Sequence, residues 1–536
     1  MPATSSSMAS SMATKYPRHY VSKLVPRSTA VITTLIMATS VMDSLLLGYD
    51  SSLMGNFNVM PMYSSYFTLT TATKSLNTAI SYVGGACAAF MAGFVTDWRG
   101  RRETIFWSSV ITLIGAAMQG AAQNISMFIV GRFILGFGMG FAAVAAPTYV
   151  SETVPHKWRG LALGLNSACW SLGTLLASGI CYRTQNLPST WAWRAPSVAM
   201  AFWSVTCAVL LPFTPESPRW LVAQDRHDEA LEVLAVVNAG GDKLDHAVLL
   251  QHREISDTIA WEKGDGRQLT LREAWTNPGN RKRIIITATF PAMVMLSGVN
   301  VVAYYFGTML EQAGITSPSK QLEVNLIMVA ICLVVAVVAS YFVDKVSRKG
   351  LASWSLIAQI VTLYIFGGLS AKYGNSTDTS GIYGTIAMLF LFTSAFSAGI
   401  NVLTVIYPPE VLSYPIRATG MGLFIMIERL CGLFVTMVFP FALNAIGWKT
   451  YMINASFDIL LVLFVIFYWV ETRGLTLEEV DIKFDGEKHS AVPNLHDLGK
   501  AREESGKLDW LIEGVPLPVD EGVAVETLVD GKGKDS

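Results

Sequence analysis

The chain has 536 residues, 52 % hydrophobic and 15 % charged, with a mean hydropathy of +0.42, a membrane composition that excludes an ordinary soluble multidomain protein. The formal net charge of −1 leaves no global field to draw nucleic acid or an acidic partner. All six cysteines (Cys87, Cys169, Cys181, Cys207, Cys332, Cys431) fall in apolar blocks at irregular spacing, and none of the seven histidines lies in one, so no disulfide framework, metal site, cofactor or intramembrane histidine relay is expected.

Residues 1–28 are Ser-rich, carry Lys15, Arg18, Lys23 and Arg27, and have no apolar stretch of their own, so they read as a cytosolic tail and not a signal peptide. Blocks able to cross a hydrocarbon core of about 30 Å follow near 29–49, 78–97, 104–122, 127–149, 160–182, 194–213, 284–308, 322–343, 351–370, 383–406, 418–443 and 449–470. The expected fold is all-α, with twelve transmembrane helices in two six-helix halves, 29–213 and 284–470. A helical linker over 214–283 contains the amphipathic DEALEVLAVV, and an acidic tail covers 471–536.

Arg99, Arg101 and Arg102, then Lys157 and Arg159, then Lys345, Arg348 and Lys349 follow even-numbered spans, whereas 51–73 has no Lys or Arg. The positive-inside rule therefore puts both termini and the linker in the cytosol. The sequons at Asn124 and Asn375 then lie outside; the connection holding Asn124 is too short for a glycosylating enzyme, which leaves Asn375 as the acceptor.

The halves echo each other. GFVTDWRGRR recurs as SYFVDKVSRKG, with Asp344 247 positions after Asp97. SETVPHKWRG recurs around PPEVLSYPIRATG, with Glu410 and Arg417 each 258 positions after Glu152 and Arg159. PESPRWL, with Glu216 and Arg219, is matched by VETRGLTLEE, with Glu471 255 positions after Glu216. Such a parallel duplication belongs to two-halved transporters that bind solute at the midplane. Asp97 with Arg101, Glu152 with Arg159, and their counterparts Asp344 with Arg348 and Glu410 with Arg417, place opposite charges at cytosolic helix ends. They read as a latch between the halves that breaks when that face opens; the plainer reading is topology and solubility alone.

Two ions inside the apolar blocks lie level. Asp50 sits at the outer end of the first span and Arg132 in the first two turns of the inward-running fourth. Each is the other's remedy for a charge in lipid, and the arginine favours the ionised carboxylate; separating them would let Asp50 take up a proton. The alternative is a static ion pair joining two helices. Asp43 lies seven residues deeper on nearly the same face, about 10 Å along the axis. Glu428 and Arg429, some ten residues into the eleventh block, cannot face each other, so a polar pathway or a further structural pair is expected there. GFGMG at 136–140 is not a phosphate loop: no strand precedes it, and Gly136 and Gly140 have the spacing of close helix packing.

GYD at 48–50, GFVTDWRGRR, GRFILGFG, PTYVSETVPHKWRG, PESPRWL, SGVNVVAYY and VETRGLTLEE together resemble the sugar porter family of the major facilitator superfamily over residues 28–484. PHKWRG, GLNSACWSLG and the stretch from GWKTY to VETRGLTLEEVDIKFDG are most similar to its fungal lactose-permease and oligosaccharide-transporter branch. The resemblance implies the latch reading of the loop charges, and it implies that Asp50 and Arg132 form the proton-coupling pair. At substrate positions it implies Asn300, Tyr304 and Tyr305, and by analogy with the branch Asn166; Asn401 is a further candidate for binding solute. The departures are Val294 and Met295 where a glutamine pair is usual, Ser167 after Asn166 where span five carries a glutamine, AGINVLTVIY for an aromatic and proline cluster, and Glu428 and Arg429 for an Asn-Trp pair.

These readings converge on a monomeric, proton-coupled secondary transporter of the plasma membrane, with no enzymatic activity and no nucleic-acid partner. It would move a sugar or oligosaccharide by alternating access. The alternatives are a polyhydroxylated or ionisable metabolite recognised through Asp43, Glu428 and Arg429, and a non-transporting nutrient sensor.

Overall fold

The computed structural model describes residues 24–263, 275–374, 376, 378–412, 414–473, 480, 483 and 484. Among these there is no strand. The helices are α1 Thr29–Val59, α2 Pro61–Phe67, α3 Thr71–Arg99, α4 Arg101–Gly120, α5 Ile125–Thr153, α6 His156–Thr184, α7 Trp191–Leu210, α8 Pro218–Ala223, α9 His227–Ala239 and α10 His246–Lys263. They continue as α11 Pro278–Leu296, α12 Val299–Gln312, α13 Pro318–Phe342, α14 Arg348–Tyr373, α15 Thr379–Ala398, α16 Ile400–Val411, α17 Tyr414–Ile446 and α18 Lys449–Tyr468. Ten spans, two of them broken, are long and apolar enough to cross a membrane. The more polar α4 and α6 occupy the third and fifth expected positions and complete the twelve.

Three spans differ from the sequence expectation. The first runs ten residues further, to Val59, because Ser52 and Asn56 continue the helix with polar side chains turned inward, Asn56 Nδ2 donating to Ser52 O at 2.9 Å. It stops at Met60, where the following Pro61 disfavours helix. Asp50 is therefore nine residues from the helix end, about 14 Å along the axis, and not at its outer limit. The seventh span breaks at Ser297-Gly298, where Gly298 takes φ +89°, a left-handed conformation suited to glycine. The tenth breaks at Gly399, where a Cβ would fall 2.3 Å from Ser355 Cβ.

Glycines set the close approaches. A Cβ on Gly136 would stand 2.2 Å from Ser81 O and one on Gly140 2.6 Å from Ala88 Cβ, so GFGMG is a packing surface between α5 and α3. Across the halves, α3 packs on α17, α6 on α13 and α1 on α12. In the linker, α9 ends at Gly240 (φ +61°) and buries Val233, Val236 and Val237 against Ile32, Ile36 and Tyr149 of the amino-terminal half. The amphipathic stretch thus has its apolar face covered.

Side-chain ties between halves occur at the side away from the linker. Asn58 Nδ2 donates to Tyr304 O (3.2 Å), Asn325 Nδ2 to Asn56 Oδ1 (3.0 Å) and Ser178 Oγ (3.2 Å), and Asn444 Nδ2 to Thr71 Oγ1 (3.1 Å).

Candidate functional site

Arg132 and Asp50 form an ion pair between α5 and α1, with the arginine 1 % exposed. Gly131 and Gly136 bring α4 and α3 close around the arginine. Arg132 also donates from its second terminal nitrogen to Ser81 Oγ at 3.2 Å. Removing either partner would strand a buried charge, a change that costs about 3–5 kcal/mol. The neighbour of Ser81 on α3, Tyr82, places its hydroxyl 3.0 Å from that of Tyr304 on α12. The buried ion pair is thus one residue away from a hydrogen bond that joins the two halves.

Apart from Asp43, the other proposed solute ligands fall into two groups. Asn300 Nδ2 donates to Met295 O (3.3 Å), Tyr305 OH to Thr436 O (2.8 Å), and Asn166 Oδ1 accepts from Ser44 Oγ (2.6 Å). These side chains are engaged within the protein. Asn401, Glu428 and Arg429 are partly buried and make no hydrogen bond or ion pair among the described residues. Asp43 is buried beside Cys207 of α7, inside the amino-terminal half.

The loop charges pair within each half. Arg101 meets Glu152 (3.0 Å) and Asp97 (3.2 Å), and Arg348 meets Glu410 (3.2 Å). Glu216 Oε1 accepts from the backbone N–H groups of Arg101 and Arg102, each at 3.0 Å. Glu471 repeats this arrangement at the start of α14, accepting from the N–H groups of Arg348 (2.9 Å) and Lys349 (3.2 Å) and from Ser347 Oγ. Both carboxylates sit at helix amino termini, where free N–H groups and the dipole favour negative charge. Among the described residues each half folds its own acid onto its own helix start.

The environments of the two acids differ. Burial pushes the Glu216 carboxyl above its ordinary value against the pull of its N–H donors. At Glu471 burial acts in the same direction but is outweighed by Ser347 and the N–H donors of Arg348, Arg473 and Lys349, which hold it below its ordinary value. Gly100 (φ +97°) lies so near Glu216 that a Cβ would stand 2.6 Å from Oε2; its counterpart in the other half is Ser347.

Arg219 lies in α8. The side chains of Arg159, Asp344 and Arg417, and Asn375 with its glycosylation expectation, lie outside the described residues. Asn124 caps α5, its Oδ1 accepting from Met127 N at 2.9 Å.

Asp458 and Asn454 on α18 do not figure among the sequence candidates. Asn454 Nδ2 donates to Leu296 O (3.1 Å), the last residue before the break in span seven, and to Asp458 Oδ2 (3.2 Å). Asp458 is fully buried, and its Oδ1 has no partner among the described residues. A lone acid in the last apolar block is the same signal that singled out Asp50. Ser81 and Tyr82 gave no such signal, since a hydroxyl in a membrane helix most often bonds its own backbone.

Residues 36–484 match the family model described as "Sugar (and other) transporter". The chain is 28 % identical to the MFS-type transporter criB of Aspergillus cristatus, over 82 % of this chain and 90 % of that protein. It is 27 % identical to the MFS glucose transporter mfs1 of Aspergillus flavus (88 % and 92 %) and 26 % identical to H(+)/hexose cotransporter 2 of Parachlorella kessleri (89 % and 93 %). Among solved structures, the proton:xylose symporter XylE bound to 6-bromo-6-deoxy-D-glucose superposes with a TM-score of 0.69 at 20 % identity, over 85 % of this chain and 100 % of that one. The inward-open conformation of XylE from E. coli superposes with a TM-score of 0.68 at 21 % identity, over 84 % and 100 %. This likeness concerns the fold.

Proposed function

The chain belongs to the sugar transporter family of the major facilitator superfamily, and on that basis we propose that it moves a small polar solute, a sugar or oligosaccharide in the first place, together with protons. The carrying observation is the path from Asp50 and Arg132 through Ser81 to the Tyr82–Tyr304 contact between halves. While Asp50 is ionised it holds Arg132, and Arg132 holds Ser81 beside the inter-half contact. A proton on Asp50 removes the charge that fixes Arg132, loosens the hold on Ser81 and lets α3 move against α12. Solute binding and protonation then act on one two-state element, which is what coupling requires.

The charge bias of the loops supports cytosolic termini and a cytosolic linker in the plasma membrane. With that orientation the ties at Asn58, Asn325 and Asn444 close the outer side, the state from which solute leaves inward. The names of the hexose cotransporter and of XylE support proton coupling and a sugar. A single chain holds the whole path from Asp50 to Tyr304, which supports a monomer. The second reading, a non-sugar metabolite, is favoured by the engagement of Asn166, Asn300 and Tyr305 within the protein.

The test is uptake by the purified chain in proteoliposomes across neutral sugars, disaccharides and hydroxy acids, with and without an inward proton gradient. Gradient-driven accumulation of one class supports the reading. No movement of any solute by folded protein would refute it and leave the sensor.

A further inference from the structure

We infer that the transported solute is a hydroxylated carboxylate and that Arg429 receives its negative group; this rests on the transporter reading above and names the solute for that site. Arg429 lies on α17, the helix that faces α3 across the halves. Gly85 of α3 makes room for it: a Cβ there would stand 3.2 Å from Arg429 Cδ. One turn further along α17, Gly432 receives the Tyr82 ring, where a Cβ would fall 2.3 Å from Cε1. Arg429 is therefore about 5 Å to the linker side of the Tyr82–Tyr304 contact.

The guanidinium has no hydrogen bond or ion pair among the described residues, and its Nε is buried without a partner. An unmatched arginine inside a membrane protein is costly, and such residues mark solute paths. The acids nearby do not satisfy it. Asp50 is committed to Arg132. Glu428 is next in sequence, so it leaves the helix about 100° away, and among the described residues it has no partner either. The charged groups around the Tyr82 hydroxyl are Arg429, Glu428 and Asp50.

The side chains left open fit one chemistry. A guanidinium fork binds a carboxylate through two parallel N–H donors. Glu428 accepts only, so it matches hydroxyl donors. A neutral sugar would use Glu428 but leave the fork unmatched. A sugar acid satisfies both.

The experiment uses the full chain in proteoliposomes with labelled glucuronate, galacturonate and gluconate against glucose and galactose, for the protein as it stands, Arg429→Gln and Arg429→Lys. At least one acid should enter tenfold or more faster than its neutral counterpart at equal concentration. Arg429→Gln should raise the KM for that acid at least tenfold, and Arg429→Lys should recover part of the loss. Circular dichroism and monodispersity establish that the variants are folded; if Arg429→Gln is not, Arg429→Lys and the acid-to-neutral ratio carry the test. Entry of a neutral sugar without any acid, or equal KM values in all three proteins, overturns the inference and leaves the transporter reading standing. No entry of any probe by folded protein overturns both.

Discussion

The hydroxyl of Tyr82 lies 3.0 Å from that of Tyr304, and it is the neighbouring residue, Ser81, that accepts from Arg132 at 3.2 Å. Two adjacent residues of α3 therefore serve two purposes, one holding the halves together and the other anchoring the buried cation. Any rotation or shift of α3 changes both.

Removing either hydroxyl, by Tyr82→Phe or Tyr304→Phe, keeps the ring and deletes the contact. A net hydrogen bond of about 1 kcal/mol corresponds to roughly a fivefold change in a two-state population. In a cysteine-free background, a single cysteine at Ser178, buried where Asn325 Nδ2 reaches it at 3.2 Å, should then label several times faster with a water-soluble maleimide. An unchanged labelling rate would mean that the contact does not hold the closed side.

Asn454 supports the break of span seven through Leu296 O at 3.1 Å and is the hydrogen-bond donor to Asp458. Asn454→Ala should cost stability, because alanine leaves both a buried carbonyl and a buried carboxyl without a donor, each worth about 1–3 kcal/mol, and Asn454→Asp should cost at least as much, because a carboxylate accepts where the amide donates and would stand against Asp458. Thermal unfolding in detergent should place both variants several degrees below the parent protein, whereas a mere cavity would lower Asn454→Ala and leave the isosteric Asn454→Asp near the parent.

Glu216 and Glu471 should respond oppositely to pH. A carboxyl held below its ordinary value, as Glu471 is, adds stability above that ordinary value and loses it as pH falls through the lowered one. A carboxyl held above its ordinary value, as Glu216 is, loses stability as pH rises between the ordinary and the raised values. Glu471→Gln should therefore destabilise more at pH 7 than at pH 4, and Glu216→Gln should be the milder change at pH 7. Equal losses at both pH values would remove the distinction.

Much of this was legible because charge inside apolar sequence is rare. Asp50, Arg132, Glu428 and Arg429 announce themselves, and the glycines of GFGMG have packing spacing. What hydropathy misses is inward-facing polarity. Ser52 and Asn56 end the apolar run but not the helix, so Asp50 lies deeper than the run suggests. The breaks at Gly298 and Gly399 are invisible to periodicity, since an isolated glycine in a membrane helix serves packing as readily as a bend. The repeat revealed the loop acids, but which base each one meets is decided by the fold of its half. Asp458 was as visible as Asp50; it lacked a second charge to pair with.

The proposed linkage between the proton on Asp50 and solute movement can be measured as accumulation of the transported solute in proteoliposomes under an imposed inward proton gradient, for the protein as it stands and for Asp50→Asn. The parent protein should accumulate solute above equilibrium, an uncoupler should abolish this, and Asp50→Asn should show no accumulation beyond equilibrium at any external pH. Accumulation by Asp50→Asn equal to the parent, or accumulation insensitive to the uncoupler, would contradict the linkage.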